Sequence, residues 1–337
     1  MKAIVLQDRP GVENLRVVDR PQPVPRRQEI LIRVRATALN YRDVEIVNGS
    51  YHTVFALPLV PLSDGVGEVV AIGEEVTRFK VGDRVCSTFW QRWAGGSFRM
   101  AEPAYQRGGP IDGLLADYAV LDEQAAVLAP RNLSDVEAAT LPCAAVTAWH
   151  ALVTLGAVKA GDTVLVQGTG GVALFALLFA RANGARVIVT SSSDEKLRRA
   201  QALGAFASVN YRQNPEWADA VLDLTDGRGV DHVIEVGGPR SFEQSLKASA
   251  RCGQINVIGY LGGKDGTINP LDIFRKQVQV RGIPVGSRES FEAMVRAIEA
   301  LDLKPVIDRT FNWTEVAAAI HHLESGSHFG KVALVHE

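Results

Sequence analysis

Cysteine, methionine and excess charge of either sign are all scarce in this chain. The three cysteines, Cys86, Cys143 and Cys252, are odd in number and far apart, which argues against a disulfide framework and for buried thiols in a reducing compartment. No two of them have the spacing of metal ligands, so a cysteine-based metal site is not expected. Charges nearly cancel, with 36 Lys and Arg against 38 Asp and Glu for a formal net charge of −2. The chain therefore lacks the basic face that a phosphate backbone requires and the polybasic cluster that anchors to an anionic membrane, and neither nucleic acid nor membrane is an expected partner. Apolar runs are short as well. None reaches the roughly 18 residues of a spanning helix, and the opening MKAIVLQDRPG has no long apolar stretch behind a charged start, which leads to the expectation of a cytoplasmic protein.

What is present is the profile of an α/β protein with many tight turns: 47% hydrophobic and 22% charged residues, 31 glycines and 15 prolines. Its 337 residues exceed one ordinary core and favour two domains. Residues 29–40 alternate apolar and polar, 66–72 do so less strictly, and Gly65, Gly67, Gly73 and Gly82 punctuate them, so the first part reads as β-rich. From about 160 the rhythm changes. Short apolar strands at 163–167, 186–190, 207–210, 231–236, 254–259 and 277–283 are separated by helical segments near 172–183, 194–203, 215–225, 240–249 and 288–301. Strands and helices in such alternation build a doubly wound parallel sheet with helices on both faces. The tail, KPVIDRTF, a helix around 314–325 and then KVALVH, returns to strand and is expected to rejoin the first domain.

VLVQGTGGVALFALLFARANGARVIVT puts Gly168, Gly170, Gly171 and Val172 between the first strand of this series and an apolar helix. Glycines at such a turn let the backbone approach a pyrophosphate, which then rests on the positive end of the helix dipole. Ala173 takes the third glycine position. An NAD enzyme places an acidic residue at the end of the second strand to bind the ribose hydroxyls; here the chain reads TSSSDEK. Ser191, Ser192, Lys196 and Tyr211 offer hydroxyls and a cation to a 2′-phosphate instead, so NADPH is expected in preference to NADH. Asp194 is expected to cap the following helix.

Across nearly its whole length the chain resembles the medium-chain dehydrogenase/reductase superfamily, in particular its zinc-free branch that includes quinone oxidoreductases. The resemblance rests on ALNYRDV (38–44), PLSDGVGEVVAIGEEVTRFKVGDRV (61–85), LPCAAVTAWHAL (141–152), VQGTGGV (166–172), GRGVDHVIEVGG (227–238) and FGKVAL (329–334). It implies a GroES-like β-rich substrate domain from 1–126 and 303–337, with a Rossmann domain over 127–302 inserted into it. Zinc-bearing relatives carry a cysteine where this chain has the block opening at Asn40 and a His-Glu pair where it has Ser63 and Asp64; only Cys143 matches a ligand position. No metal is expected, and no cysteine stands in 89–113, where a structural zinc lobe would lie; that segment reads as a long surface or cleft-lining loop.

Without a metal, hydride transfer must rely on positioning and on donors that meet the developing charge. The candidates are Asn40 as an amide donor, Tyr41 as a hydroxyl donor, Ser63 as a relay, and Asp43 and Asp64 as orienting groups; solvent is an alternative proton source. Thr147 matches a family position at the nicotinamide ring. Gly237, Gly259 and Tyr260 fall at strand ends facing the coenzyme, and Phe329 and Lys331 are expected to return there from the tail. His150 and Cys143 read as packed side chains. The expected activity is reduction of a small carbonyl compound, aldehyde, enone or quinone, or the reverse alcohol oxidation. An enoyl reductase and a non-catalytic NADPH-binding regulatory or structural protein are the alternatives. Segment 277–283 reads as the long apolar outer edge of the sheet, which needs a partner; in relatives this edge joins two subunits, and a homodimer is expected.

Overall fold

A computed structural model describes residues 1–99 and 105–336; positions 100–104 of the 89–113 segment lie outside the described residues. In chain order the strands are β1 (Lys2–Leu6), β2 (Leu15–Asp19), β3 (Glu29–Ala38), β4 (Asp64–Ile72), β5 (Arg84–Ser87), β6 (Tyr118–Asp122), β7 (Ala126–Leu128), β8 (Thr163–Gln167), β9 (Arg186–Ser191), β10 (Ala207–Asn210), β11 (Val230–Glu235), β12 (Ser249–Val257), β13 (Gln279–Gly282), β14 (Ile307–Asn312) and β15 (Lys331–Val335). The helices are α1 (Tyr41–Asn48), α2 (Asp135–Ala139), α3 (Val146–Trp149), α4 (Gly171–Ala182), α5 (Asp194–Ala202), α6 (Trp217–Asp223), α7 (Pro239–Ala248), α8 (Pro270–Lys276), α9 (Arg288–Ala300) and α10 (Val316–Glu324).

The chain forms two compact units, Met1–Val146 with Gly286–Glu337, and Thr147–Val285. In the first, β14, β15, β3, β4, β5 and β7 follow one another across a sheet that β6 joins through β3, and β1 pairs with β2 in a separate ribbon. β15 runs antiparallel to β3, with Ala333 opposite Ala38, so the tail does rejoin the first part of the chain. One core of this unit gathers Leu39, Val44, Val47 and Leu62 with Phe311, Trp313, Ile320 and Leu334; a second joins Ile30, Ile32, Val69, Val85 and Leu121. Segments 127–146 and 286–302 pack with this unit, whereas the sequence reading assigns them to the inserted domain. Hydrogen bonds hold them there: Val127 lies opposite Cys86 in the β5–β7 pair, Arg288 N–H reaches Trp93 O at 2.9 Å, and Arg131 N–H reaches Glu299 Oε1 at 2.8 Å.

The second unit is a parallel sheet of order β10-β9-β8-β11-β12-β13, the doubly wound arrangement that its alternating sequence predicts. Leu165, Ile188, Val233 and Ile255 from neighbouring strands pack against Trp217, Val221, Phe242 and Leu246 from α6 and α7. The order reverses between β8 and β11, the place where such sheets take their ligands. The outer strand departs from expectation. It is four residues long rather than seven, because Gln277 adopts a left-handed φ of 55° at the end of α8 and Val278 turns into the core.

Candidate active site

β3 delivers Asn40 in extended conformation to the start of α1, where the Asp43 carboxylate accepts a hydrogen bond from Asn40 N–H at 2.7 Å and closes the first turn. Lys331, the first residue of β15, is 3% exposed, and its Nζ donates to Leu39 O at 2.6 Å and to Asn40 Oδ1 at 2.7 Å. The ammonium also lies 3.8 Å from Asp64 Oδ2. Asp64 is wholly buried; its carboxylate accepts from Ser63 Oγ at 2.8 Å and from Cys143 N–H at 3.2 Å. An ammonium can only donate, so it fixes which end of the Asn40 amide faces it and turns Nδ2 the other way. Asn40 Nδ2 and Asp43 Oδ1 are buried without a hydrogen-bond partner, an arrangement that is costly unless something else satisfies it. Burial raises the Asp43 carboxyl to about 6, against the pull of Arg42 and with a further push from Asp64.

Arg42, one residue before Asp43, lies with Nη1 3.5 Å from Asp43 Oδ1 and so pairs with that carboxylate without a hydrogen bond, and it also reaches away from the cluster. Its guanidinium donates to Arg107 O at 3.1 Å, Gly109 O at 2.9 Å and Gln106 Oε1 at 3.3 Å, and lies over the rings of Phe89 and Tyr51. It thereby ties residues 106–109 of the 89–113 segment to α1. Tyr51 Oη donates to the same Gln106 oxygen at 3.2 Å, and burial pushes its hydroxyl upward, keeping it a donor. Of the candidates read from sequence, Asn40, Asp43 and Asp64 come together around Lys331. Tyr41 is 47% exposed and makes none of the cluster's hydrogen bonds. Ser63 is wholly buried and directs its hydroxyl to Asp64, so it does not lead from Asn40 toward solvent. Lys331 and Phe329 belong to this unit. Phe329 is packed at 2% exposure with its N–H on Asp308 Oδ1 at 2.9 Å, and the Lys331 ammonium is engaged with Leu39, Asn40 and Asp64 rather than left for a coenzyme phosphate. Burial holds the Cys143 thiol above its ordinary range, with Asp64 adding to the effect, which disfavours the thiolate.

In the second unit Gly168 takes a φ of 77° straight after β8, a left-handed turn that suits glycine. Gly170 precedes α4 and Gly171 and Val172 open it, with no side chain capping that end, which leaves its first amides available to an anion. At the end of β9, Ser191 Oγ accepts from Ser193 N–H at 3.3 Å and Ser191 O from Tyr211 N–H at 3.1 Å, which brings the expected phosphate-binding residues Ser191, Ser192 and Tyr211 to one corner, with Lys196 in the first turn of α5. The cap of α5 is Ser193, not Asp194: Ser193 Oγ accepts from Lys196 N–H, and Asp194 stands inside the helix, its carboxylate held by Asn210 Nδ2 at 2.6 Å and Gln213 Nε2 at 2.8 Å. Gly237, Gly259 and Tyr260 also meet. Gly259 N–H donates to Glu235 O at 3.3 Å, and a Cβ on Gly238 would stand 2.8 Å from Tyr260 Cα. Thr147 is 2% exposed on α3, between two π-helical turns, Leu141–Ala145 and His150–Thr154, a local widening that recurs at functional sites. Burial lowers His150 to about 4, consistent with a packed, neutral imidazole.

The family model of the alcohol dehydrogenase GroES-like domain matches residues 26–131 and that of a zinc-binding dehydrogenase residues 171–300. A zinc-type alcohol dehydrogenase-like protein of Schizosaccharomyces pombe is 45% identical, over 91% of this chain and 90% of its own length. The chain belongs to the medium-chain dehydrogenase/reductase superfamily. Human quinone oxidoreductase, another relative of this medium-chain dehydrogenase/reductase, is 29% identical over 97% of the chain and 95% of its own length. A solved NAD-dependent alcohol dehydrogenase superposes with a TM-score of 0.92 at 36% identity, covering 100% of both chains. The protein is thus an oxidoreductase of the alcohol dehydrogenase and quinone oxidoreductase kind, with a GroES-like unit and a Rossmann-type unit that takes a nicotinamide coenzyme.

Proposed function

We propose that this medium-chain dehydrogenase/reductase is a zinc-independent, NADPH-preferring enzyme that moves a hydride to or from a small carbonyl compound, aldehyde, enone or quinone. The observation that carries the reading is the ammonium of Lys331 inside the polar cluster, bonded to Asn40 and 3.8 Å from Asp64. Zinc is implied by the family description and by the yeast relative's name, but these residues do not fit it. Catalytic zinc takes three protein ligands drawn from thiolates, imidazoles and carboxylates. The cluster offers an amide, a hydroxyl and a single thiol, Cys143, and its Asp64 carboxylate already faces a cation that would repel a second one.

When bound, the nicotinamide supplies or receives the hydride. Asn40, oriented by Lys331, presents Nδ2 as a hydrogen-bond donor to the substrate oxygen, which gains an electron pair as the hydride reaches carbon. The nearby ammonium favours that negative charge. The proton that completes the alcohol comes from solvent, since Tyr41 is exposed and Ser63 is committed to Asp64. An enone fits the same donor, because its oxygen takes up charge when the hydride adds to the distal carbon.

Support for NADPH lies in Ser191, Ser192 and Tyr211 at the ends of β9 and β10, in Lys196 in the first turn of α5, and in Asp194, whose carboxylate is held by Asn210 and Gln213. Calorimetric titration with NADPH and NADH tests it: NADPH should bind the more tightly, and Ser192→Asp should weaken NADPH far more than NADH. Tighter NADH binding, or equal losses in the variant, overturns the preference. Metal analysis of fresh protein should find no stoichiometric zinc, and activity should survive chelation.

A homodimer through the β13 edge belongs to the same proposal. Short as it is, β13 leaves Val280 40% exposed, and α8, which precedes it in the chain, leaves Leu271 54% and Phe274 77% exposed; pairing with a second copy would cover such apolar surface. A cytoplasmic setting is also proposed; among the described residues no helix is long and apolar enough to cross a membrane.

A further inference from the structure

Glu235, the last residue of β11, is wholly buried, yet five donors converge on its two oxygens. Oε1 accepts from Gly237 N–H at 2.8 Å, Gly238 N–H at 3.0 Å and Ser241 Oγ at 2.6 Å. Oε2 accepts from Gln167 Nε2 at 2.8 Å and from Ser245 Oγ. Gln167 is the last residue of β8, immediately before the glycine-rich turn, and its Oε1 accepts from Val236 N–H at 3.1 Å and Gly237 N–H at 3.2 Å. The turn after β12 is laid on top: Leu261 N–H donates to Val236 O at 3.0 Å and Gly262 N–H to Gly237 O at 2.8 Å.

β8 belongs to the half of a doubly wound sheet that binds the adenosine nucleotide, β11 and β12 to the half that binds the nicotinamide nucleotide. The polar bridge between Gln167 and Glu235 crosses the line between those halves. A buried charged network is seldom the cheapest way to join two strands, which apolar side chains do at lower desolvation cost, but once fully satisfied it can specify a single arrangement. We propose that Glu235 is a positioning residue for the coenzyme, locking the Gly237–Gly238 turn to the root of the glycine-rich turn and so setting the spacing at which both halves of a dinucleotide are held together.

This inference rests on a nicotinamide coenzyme occupying the unit, and the test separates the two. Full-length wild type and Glu235→Gln are titrated with the dinucleotide that wild type binds and with its adenosine half, 2′,5′-ADP for NADPH or 5′-ADP for NADH. Positioning predicts that the variant loses about tenfold or more in dinucleotide affinity, roughly 1.4 kcal/mol, while the half-molecule changes less than about twofold. Ser241→Ala, which removes one donor from a half-buried position, should show the same selectivity in milder form and guards against a glutamine variant that fails to fold. Equal losses for both ligands, or none, in folded variants overturn the proposal. So does a gain for both, because loss of a negative charge alone would strengthen any phosphate ligand. A wild-type chain that binds no dinucleotide would instead refute the coenzyme reading beneath it.

Discussion

Asn40 is useful because Lys331 leaves it only one way to point. Replacing Asn40 with Ala should lower kcat/KM by about a hundredfold, the usual size of a lost oxyanion donor, with coenzyme affinity unchanged; stopped-flow turnover and calorimetry on the same preparation check both halves. Lys331→Met should lower turnover likewise and also destabilise the fold by about 3 kcal/mol, because it strands the buried Asp64 carboxylate. Tyr41→Phe should leave kcat/KM within about twofold, since an exposed hydroxyl outside the cluster is not needed when water supplies the proton. Asp43 carries a pH dependence. Its folded pKa of about 6 lies above the unfolded value of about 3.9, so the folded state holds the extra proton between these values and loses stability as pH rises through that window. Asp43→Asn removes this titration: in a series of melts the variant should gain on wild type from about pH 4 to pH 6 and level off above, by about 1.4 kcal/mol for each tenfold difference in proton affinity between the folded and unfolded chain. The burial-depressed His150 pulls stability the other way on acidification, but it is common to both proteins and cancels in the difference.

At the scale of elements, the six strands of the parallel sheet were legible because each is an apolar run bounded by turn residues and helices. The short elements were not. α1 is eight residues long with Arg42, Asp43 and Glu45 in it, and polar residues in so short a span look like loop. The Asn40-x-x-Asp43 spacing of a capping box was the available signal, and reading it would have put Asp43 on a helix and Tyr51 just beyond its end. α8 escaped for a similar reason, since it is only seven residues long and every one of its residues is at least partly exposed. The cap of α5 was displaced by one residue because Ser193 and Asp194 are both good capping types, and only the partners of Asp194 decide between them. Ser193→Ala should therefore cost about 1 kcal/mol, while Asp194→Ala should loosen the link to the end of β10; chemical denaturation of each variant measures the first, and the melting of Asn210 protection in hydrogen exchange the second.

For the whole molecule, two units, the inserted parallel sheet and the return of the tail were all readable from the order of strand and helix signals, and the glycine turn marked the coenzyme unit. The contact that completes the polar cluster was not, because Lys331 and Asn40 are 291 positions apart and nothing local to either announces the other. Association is testable at this scale. Phe274→Asp places a charge in the exposed patch of α8 and should shift light-scattering mass from two chains to one at micromolar concentration, with little change in melting of the separated chain; a wild type that is already monomeric removes the dimer from the proposal. The long separation between Asn40 and Lys331 also has a consequence during synthesis. Thr147–Val285 is one continuous stretch and can become compact while the ribosome is still adding residues, since domains form as units from the leading end. The unit whose two segments flank it in sequence must wait, with β3 missing one of its three neighbours and Asp64 its counter-charge, until β15 has emerged. A nascent chain released before that point should already grip its coenzyme and yet turn nothing over, so that binding competence precedes catalytic competence in the life of every molecule.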